Sequence, residues 1–168
     1  MIIWISGAYG VGKTTAAAAL AEKMENVLLF DAEAVGDAVR GNYPNDPYGY
    51  IYEDYPLWCD FCRKLLADIH NTFHKDILVP MTLLRESSYG SILKPLADAG
   101  IDTKLFVLDA SYQTIHDRIL QRGEEEGCWC MENIELARIG VCTLPNGIRI
   151  ETDDISAEQI AQRIFDMI

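Results

Sequence analysis

The sequence predicts an α/β fold in three layers, a five-stranded parallel sheet with helices on both faces. Three observations predict it. Apolar runs of strand length alternate with stretches of helical spacing along the whole chain. These runs are continuously apolar rather than alternating, the pattern of strands buried on both faces. The first run also passes through a glycine-rich loop straight into an alanine-rich helical stretch.

The first strand is Ile2-Ile3-Trp4-Ile5, ending in Ser6-Gly7, and the helix after its loop is predicted over Lys13 to Met24. Val27 to Phe30 is a second apolar run that stops at Asp31, and Ala32 to Arg40 reads as a short helix. The turn formers and aromatics of Gly41 to Gly49 then predict a loop. Pro56 suits a first helical turn, and Leu57, Phe61, Leu65, Ile69 and Phe73 recur every fourth residue, predicting a long amphipathic helix with that stripe as its apolar face. Ile77 to Met81 is the third strand, Ser87 to Ala99 a helix stopped by Gly100, and Lys104 to Leu108 the fourth strand. Ser111 is placed to cap a helix reaching Arg122. Gly123-Glu124-Glu125-Glu126-Gly127 breaks the pattern and has the character of a small lid. Helical spacing resumes over Met131 to Ile139, Ile148 to Ile150 is the fifth strand, and Ile155 to Ile168 the closing helix. With no repeat, low-complexity stretch or linker, residues 1–168 read as one domain.

Composition narrows the function classes. A net charge of −12, from 26 acidic against 14 basic residues, repels phosphodiester backbones and anionic membranes, so no nucleic-acid partner is expected. No apolar run is long enough for an integral membrane segment, and no secretory leader is evident; a cytoplasmic location is expected. The five cysteines are expected as thiols. Cys59 and Cys62 are spaced C-x-x-C, but Cys128 and Cys130 have a single intervening residue and lie far away, so packing thiols are expected rather than zinc ligands. His70 and His74 share a helix face without a third ligand and read as structural.

Gly7-Ala8-Tyr9-Gly10-Val11-Gly12-Lys13-Thr14 fits G-x-x-x-x-G-K-[ST], the P-loop or Walker A pattern, in its required setting between strand and helix. Each part answers a demand of a polyphosphate. Gly7, Gly10, Val11 and Gly12 supply a backbone that can turn its N–H groups onto one anion, and the helix beginning with Lys13, Thr14 and Thr15 adds its positive end. Lys13 brings a point charge to the transferred phosphate, and the Thr14 hydroxyl suits Mg2+; ATP and Mg2+ are therefore the expected cofactors.

Asp31-Ala32-Glu33 puts two carboxylates at the end of the second strand, beside the crevice where such sheets bind ligands. Either can take a proton from an acceptor hydroxyl, and Asp31 can also hold magnesium or cap the following helix. Which of the two is the base stays open at this level. Arg118 and Arg122 share a helix face just before the lid, where cations can meet charge developing on a transferred phosphoryl group, and Arg138 follows. The third strand ends in Pro80-Met81-Thr82 rather than an acid, which points away from motor-type ATPases. Tyr43, Tyr48, Tyr50, Tyr52, Tyr55 and Trp58 crowd one region, partly as core and partly as the wall of a pocket for a ring-bearing or partly apolar acceptor.

With these residues in view, the chain resembles the tunicamycin-resistance protein family. The opening Met1 to Thr14, Phe30 to Gly36, Tyr55-Pro56-Leu57-Trp58, Val79-Pro80-Met81-Thr82 and Trp129 are similar to that family's pattern in order and approximate spacing. The resemblance implies a nucleoside-kinase-like fold, ATP binding and a link to resistance against a nucleoside antibiotic. Chloramphenicol phosphotransferases and gluconate kinases are similar through the P-loop and the strand-two carboxylate alone. The expected activity is ATP-dependent phosphoryl transfer to a small-molecule alcohol such as an antibiotic or a nucleoside-like compound. The alternatives are a nucleoside monophosphate kinase, with Arg40 on the acceptor phosphate, and an ATP-gated binding protein without chemistry.

Overall fold

The computed structural model describes residues 1–168. Its strands are β1 (Ile2–Gly7), β2 (Val27–Leu29), β3 (Asp76–Pro80), β4 (Thr103–Asp109) and β5 (Ile148–Glu151). They form one sheet in the order β2-β3-β1-β4-β5, and every pairing is parallel. β1 is the middle strand and is wholly buried. Its register against both neighbours, Ile2 opposite Ile77 and Gly7 opposite Leu108, brings the ends of β1, β3 and β4 to one edge. The strand order reverses at β1, so a crevice lies outside its carboxyl end.

The helices are α1 (Lys13–Ala21), α2 (Ala32–Arg40), α3 (Pro56–Phe73), α4 (Glu86–Asp98), α5 (Tyr112–Gln121), α6 (Trp129–Glu132), α7 (Ile134–Cys142) and α8 (Ala157–Phe165). Right-handed crossovers put the helix of the backward step from β1 to β2 on one face and those of the forward steps on the other. Accordingly α1 packs against α8, and α3 against α4. None of the helices is long and apolar enough to cross a membrane.

Four sequence expectations are corrected. The first helix stops at Ala21, where Glu22 to Met24 turn toward β2. The helical stretch after the lid is two helices, α6 and α7, broken at Asn133. The last helix begins after Ser156, whose hydroxyl and Gln159 form a capping box that satisfies its first donors. The largest correction concerns α3, whose buried face is Trp58, Cys59, Cys62 and Leu66, while Leu57, Phe61 and Leu65 are more than 40% exposed. Both stripes are apolar, so periodicity alone cannot choose between them. Trp58 settles the matter: its indole fills the space under α2 and its Nε1–H donates to Ala32 O at 2.9 Å. Burying such a side chain contributes on the order of 2–3 kcal/mol, which outweighs leaving a leucine wet. Cys59 and Cys62 pack inside as small apolar groups, and burial pushes both thiols up, Cys59 to about 11.

Candidate active site

The P-loop runs from the end of β1 into α1. Gly10 has φ 81°, and a Cβ there would come within 2.4 Å of Ile119 Cγ1, so no larger residue fits without displacing the Ile119 side chain. Gly12, the residue before α1, has φ 104°, and a Cβ there would meet no atom within 4 Å. No side chain caps α1. Its first N–H groups therefore face an open cradle at the positive end of the helix, an arrangement that fits a phosphate.

Lys13 is half-buried and folded back on the loop, its Nζ donating to Gly7 O at 3.0 Å and Ala8 O at 2.9 Å. Burial lowers its ammonium to about 8, with Glu33 opposing the shift and Arg122 reinforcing it. A desolvated ammonium held only by carbonyls gains from an anion beside it, a second respect in which these residues fit a polyphosphate.

Around the loop lies a cavity of about 830 Å³. Gly10, Val11, Gly12, Lys13, Thr14 and Thr15 form its floor. Arg118 lines it from α5, Arg122 from the residue that ends that helix, and Glu33 from α2. Two of the residues expected at the site lie outside this lining. Gly7 ends β1, where its carbonyl accepts from Lys13 and from Thr82. Asp31 caps α2, its Oδ1 accepting from Ala34 N at 2.9 Å. Arg118 is largely occupied: Nη1 donates to Val11 O at 2.9 Å and Thr152 Oγ1 at 3.1 Å, and Nη2 to Thr152 O at 2.5 Å, so it ties the P-loop to the end of β5. Arg122 pairs with Glu124 of the lid at 2.5 Å. Arg138 pairs with Glu135 on its own helix.

Several lining residues were not legible as site residues. Thr82 is buried and donates from Oγ1 to Gly7 O at 3.0 Å, so the segment after β3 braces the P-loop where an acid would otherwise stand. Ser6 and Leu83 reinforce the same joint. Tyr9 projects from the loop; its ring meets Trp129 of α6 edge-on at 4.8 Å, and Lys13 Nζ lies 5.9 Å from its centroid. Burial, with Glu53 next, drives its hydroxyl far above the usual tyrosine range. Cys130 and Glu124 come from the lid, and Ile155 to Ala157 with Ile160 add a less polar wall near α8. Tyr9 stood at a P-loop position that accepts any residue and Glu124 within the lid excursion, while the advance signal for Thr82 and Cys130 was their place within Val79 to Thr82 and beside Trp129.

The tyrosine-rich region divides in two. Tyr43, Tyr48 and Tyr55 pack edge-to-face on one another at 5.0–5.8 Å, with the buried Tyr55 hydroxyl held by Asp46 and Gly49. Tyr50 instead reaches Trp129, 6.2 Å between centroids, and Tyr52 donates to Asp37 at 2.6 Å. His70 Nδ1 donates to Lys75 O at 3.1 Å, and His74 ends α3 in the left-handed conformation. No three His, Cys, Asp or Glu side chains cluster as a metal centre.

A parallel sheet in this strand order, with a P-loop between its middle strand and first helix, defines a P-loop kinase-like protein. The chain belongs to the AAA domain family, whose model matches residues 2–133. A comparison with curated proteins finds no match. Among solved structures, the chain is similar to the tunicamycin resistance protein of Deinococcus radiodurans, at 23% identity and a TM-score of 0.80 over 99% of this chain and 94% of that one. This is the family whose pattern the sequence resembles, and the structures share the fold. A sugar kinase from a Janibacter species is similar at 17% identity and a TM-score of 0.71, covering 98% of this chain and 92% of that one. APS kinase CysC of Mycobacterium tuberculosis, solved with AMPPNP and APS, is similar at 21% identity and a TM-score of 0.58, covering 99% and 95%.

Proposed function

We propose that residues 1–168 form a single cytoplasmic domain that transfers the γ-phosphoryl group of ATP, with Mg2+, to a hydroxyl of a small ring-bearing molecule. The observation that carries this reading is the convergence of Lys13, Arg122 and Glu33 on one cavity over the open P-loop cradle. The N–H groups from Gly10 to Thr14 would hold the phosphates, and Thr14 with Glu33 would hold the magnesium shell. Bound magnesium supplies charge neutralisation on the β- and γ-phosphates.

The chain's own groups do the rest. Lys13 exchanges the carbonyls of Gly7 and Ala8 for phosphate oxygens, which restores its full charge. Glu33 takes the proton from the acceptor hydroxyl as that oxygen bonds to the γ-phosphorus and the bond to the bridging oxygen of ADP breaks. Arg122 leaves Glu124 to meet the charge spreading over the transferring oxygens. Tyr9 and Trp129 keep water from the reacting centre. Asp31 serves by fixing the start of α2, and hence the position of Glu33. The sugar and APS kinase neighbours support phosphoryl transfer as the reaction class, and the tunicamycin-resistance neighbour supports a role in antibiotic resistance.

The test is to incubate the protein with ATP, magnesium and a panel of nucleosides, sugars and antibiotics, and to read product masses. Gain of one phosphoryl group by an acceptor, with ADP formed in equal amount, is the expected result. Binding of ATP without any product from the panel would favour the non-catalytic binding protein.

A further inference from the structure

We propose that two copies of this chain pair through α3, along the apolar row that the fold leaves uncovered, an inference independent of the kinase reading. The row is Leu57, Phe61, Leu65, Ile69 and Phe73, which recur every fourth residue over the whole helix. α4 packs against the other flank of α3, where Cys59 and Arg63 face Ser87, Ser88 and Ser91. α2 meets the row at Leu57 and Phe61. Further along, Leu65 is 42% exposed and Phe73 is 61% exposed. Single apolar side chains at a surface are ordinary, whereas a contiguous apolar row of this length marks a contact surface.

The row is complementary to itself. Its first turns open on an apolar groove of about 430 Å³ between α2 and α3, lined by Val39, Tyr43, Pro44, Leu57 and Phe61. Its last turn carries the projecting ring of Phe73. Leu57 and Phe73 stand at equal distances on either side of Leu65, about 12 Å along the helix axis. A two-fold axis at Leu65, with the helices antiparallel, therefore brings each Phe73 to the groove of the other copy. The same axis sets Phe61 opposite Ile69 and Leu65 against its own counterpart. Rows of every fourth residue lie along one another when two helices cross at about 50°, the commonest packing class. Such a contact closes on itself as a dimer.

Charge favours a second copy over other occupants. The charged side chains of α3 are Asp60, Arg63, Lys64 and Asp68, which sum to zero, and Asp60 pairs with both Arg63 and Lys64. A chain of net charge −12 meets its own copy with least repulsion across a neutral face. An anionic membrane is opposed by that net charge, and both basic side chains of α3 are already paired.

Sedimentation velocity of the full chain from about 1 to 200 μM tests the pairing. A reversible, concentration-dependent shift toward twice the mass of the chain is expected. Leu65→Glu and Leu65→Lys each set like charges against themselves on the axis, and each is expected to weaken the dimer about a hundredfold or more. An equimolar mixture of these two variants is expected to pair again, a rescue that requires both to be folded and the residue to meet its own counterpart. Phe73→Asp removes the ring from the groove and is expected to weaken the dimer about tenfold or more. Ile139→Glu alters an exposed apolar residue on α7 and is expected to leave the dimer intact. A chain that stays monomeric throughout overturns the proposal. So does a dimer that survives Leu65→Glu and Phe73→Asp, one that is lost in Ile139→Glu, or a mixture of the Leu65 variants that fails to pair. Flotation with vesicles of phosphatidylcholine and phosphatidylglycerol is expected to leave the chain unbound. Binding of the monomer to these vesicles, abolished by Leu65→Glu, would make the row a membrane surface and overturn the dimer.

Discussion

The two walls of the cavity are made in different ways. The P-loop wall is backbone: a few consecutive residues between β1 and α1, locked from outside by Thr82 on Gly7 and Arg118 on Val11. The opposite wall is side chains, Glu33 from α2, Arg122 from the residue after α5, and Glu124 and Cys130 from the lid, with Arg122 and Glu124 joined as an ion pair. A phosphate group is the same in every nucleotide, so a backbone cradle of fixed shape recognises it. Acceptors differ, and a wall of exchangeable side chains can be retuned without disturbing the sheet.

The largest expected effect breaks the backbone wall's chemistry. Lys13→Ala with Thr14→Ala should abolish the thermal stabilisation by ATP and magnesium and cost on the order of a thousandfold in transfer. Equal ATP-induced melting shifts in the variant and the parent would remove the P-loop from the mechanism. Next comes the carboxylate that joins the two walls: Glu33→Gln should keep ATP binding and lose about a hundredfold in turnover. Asp31→Asn preserves the cap and should leave turnover within about twofold. The reverse outcome would make Asp31 the base.

Arg122→Ala should lower turnover by about tenfold to a hundredfold while changing the ATP dissociation constant much less, because its partner in the nucleotide-free protein is Glu124. A proportionate fall in affinity and rate would assign it to ground-state binding. The smallest effect is a pH dependence arising from Lys13, which burial holds near 8 against an ordinary value of 10.5. Between these values the unfolded chain binds the extra proton, so stability of the nucleotide-free protein rises with pH there. ATP affinity, which needs the ammonium, falls over the same range. Lys13→Arg keeps its charge across this window and should flatten both profiles; calorimetric titrations from pH 7 to about 10 check the pair.

Legibility in the sequence followed the same division as the walls. The strand, glycine loop and first helix were all local patterns, and each strand was found to within a few residues. The choice of apolar face on α3 was not, because Leu57 and Trp58 begin two rival stripes and only the contact with Ala32 decides between them. Asp31 and Glu33 were indistinguishable in sequence. One side chain caps α2 and the other lines the cavity, a difference set by where a single turn of helix meets the sheet edge. Thr82 and Tyr9 carried no chemical signature that would have marked them as lining residues.

The sequence by itself determined the alternation of strand and helix, the P-loop and the crevice beside it, because these depend on burial periodicity and on motifs within about 15 residues of chain. The tertiary structure alone decided the contact of Tyr9 with Trp129, the bracing of Gly7 by Thr82 and the pairing of Arg85 with Asp54. Each joins residues 31 to 120 positions apart, and no local pattern encodes which distant partner will lie within hydrogen-bonding or stacking range once the sheet has assembled.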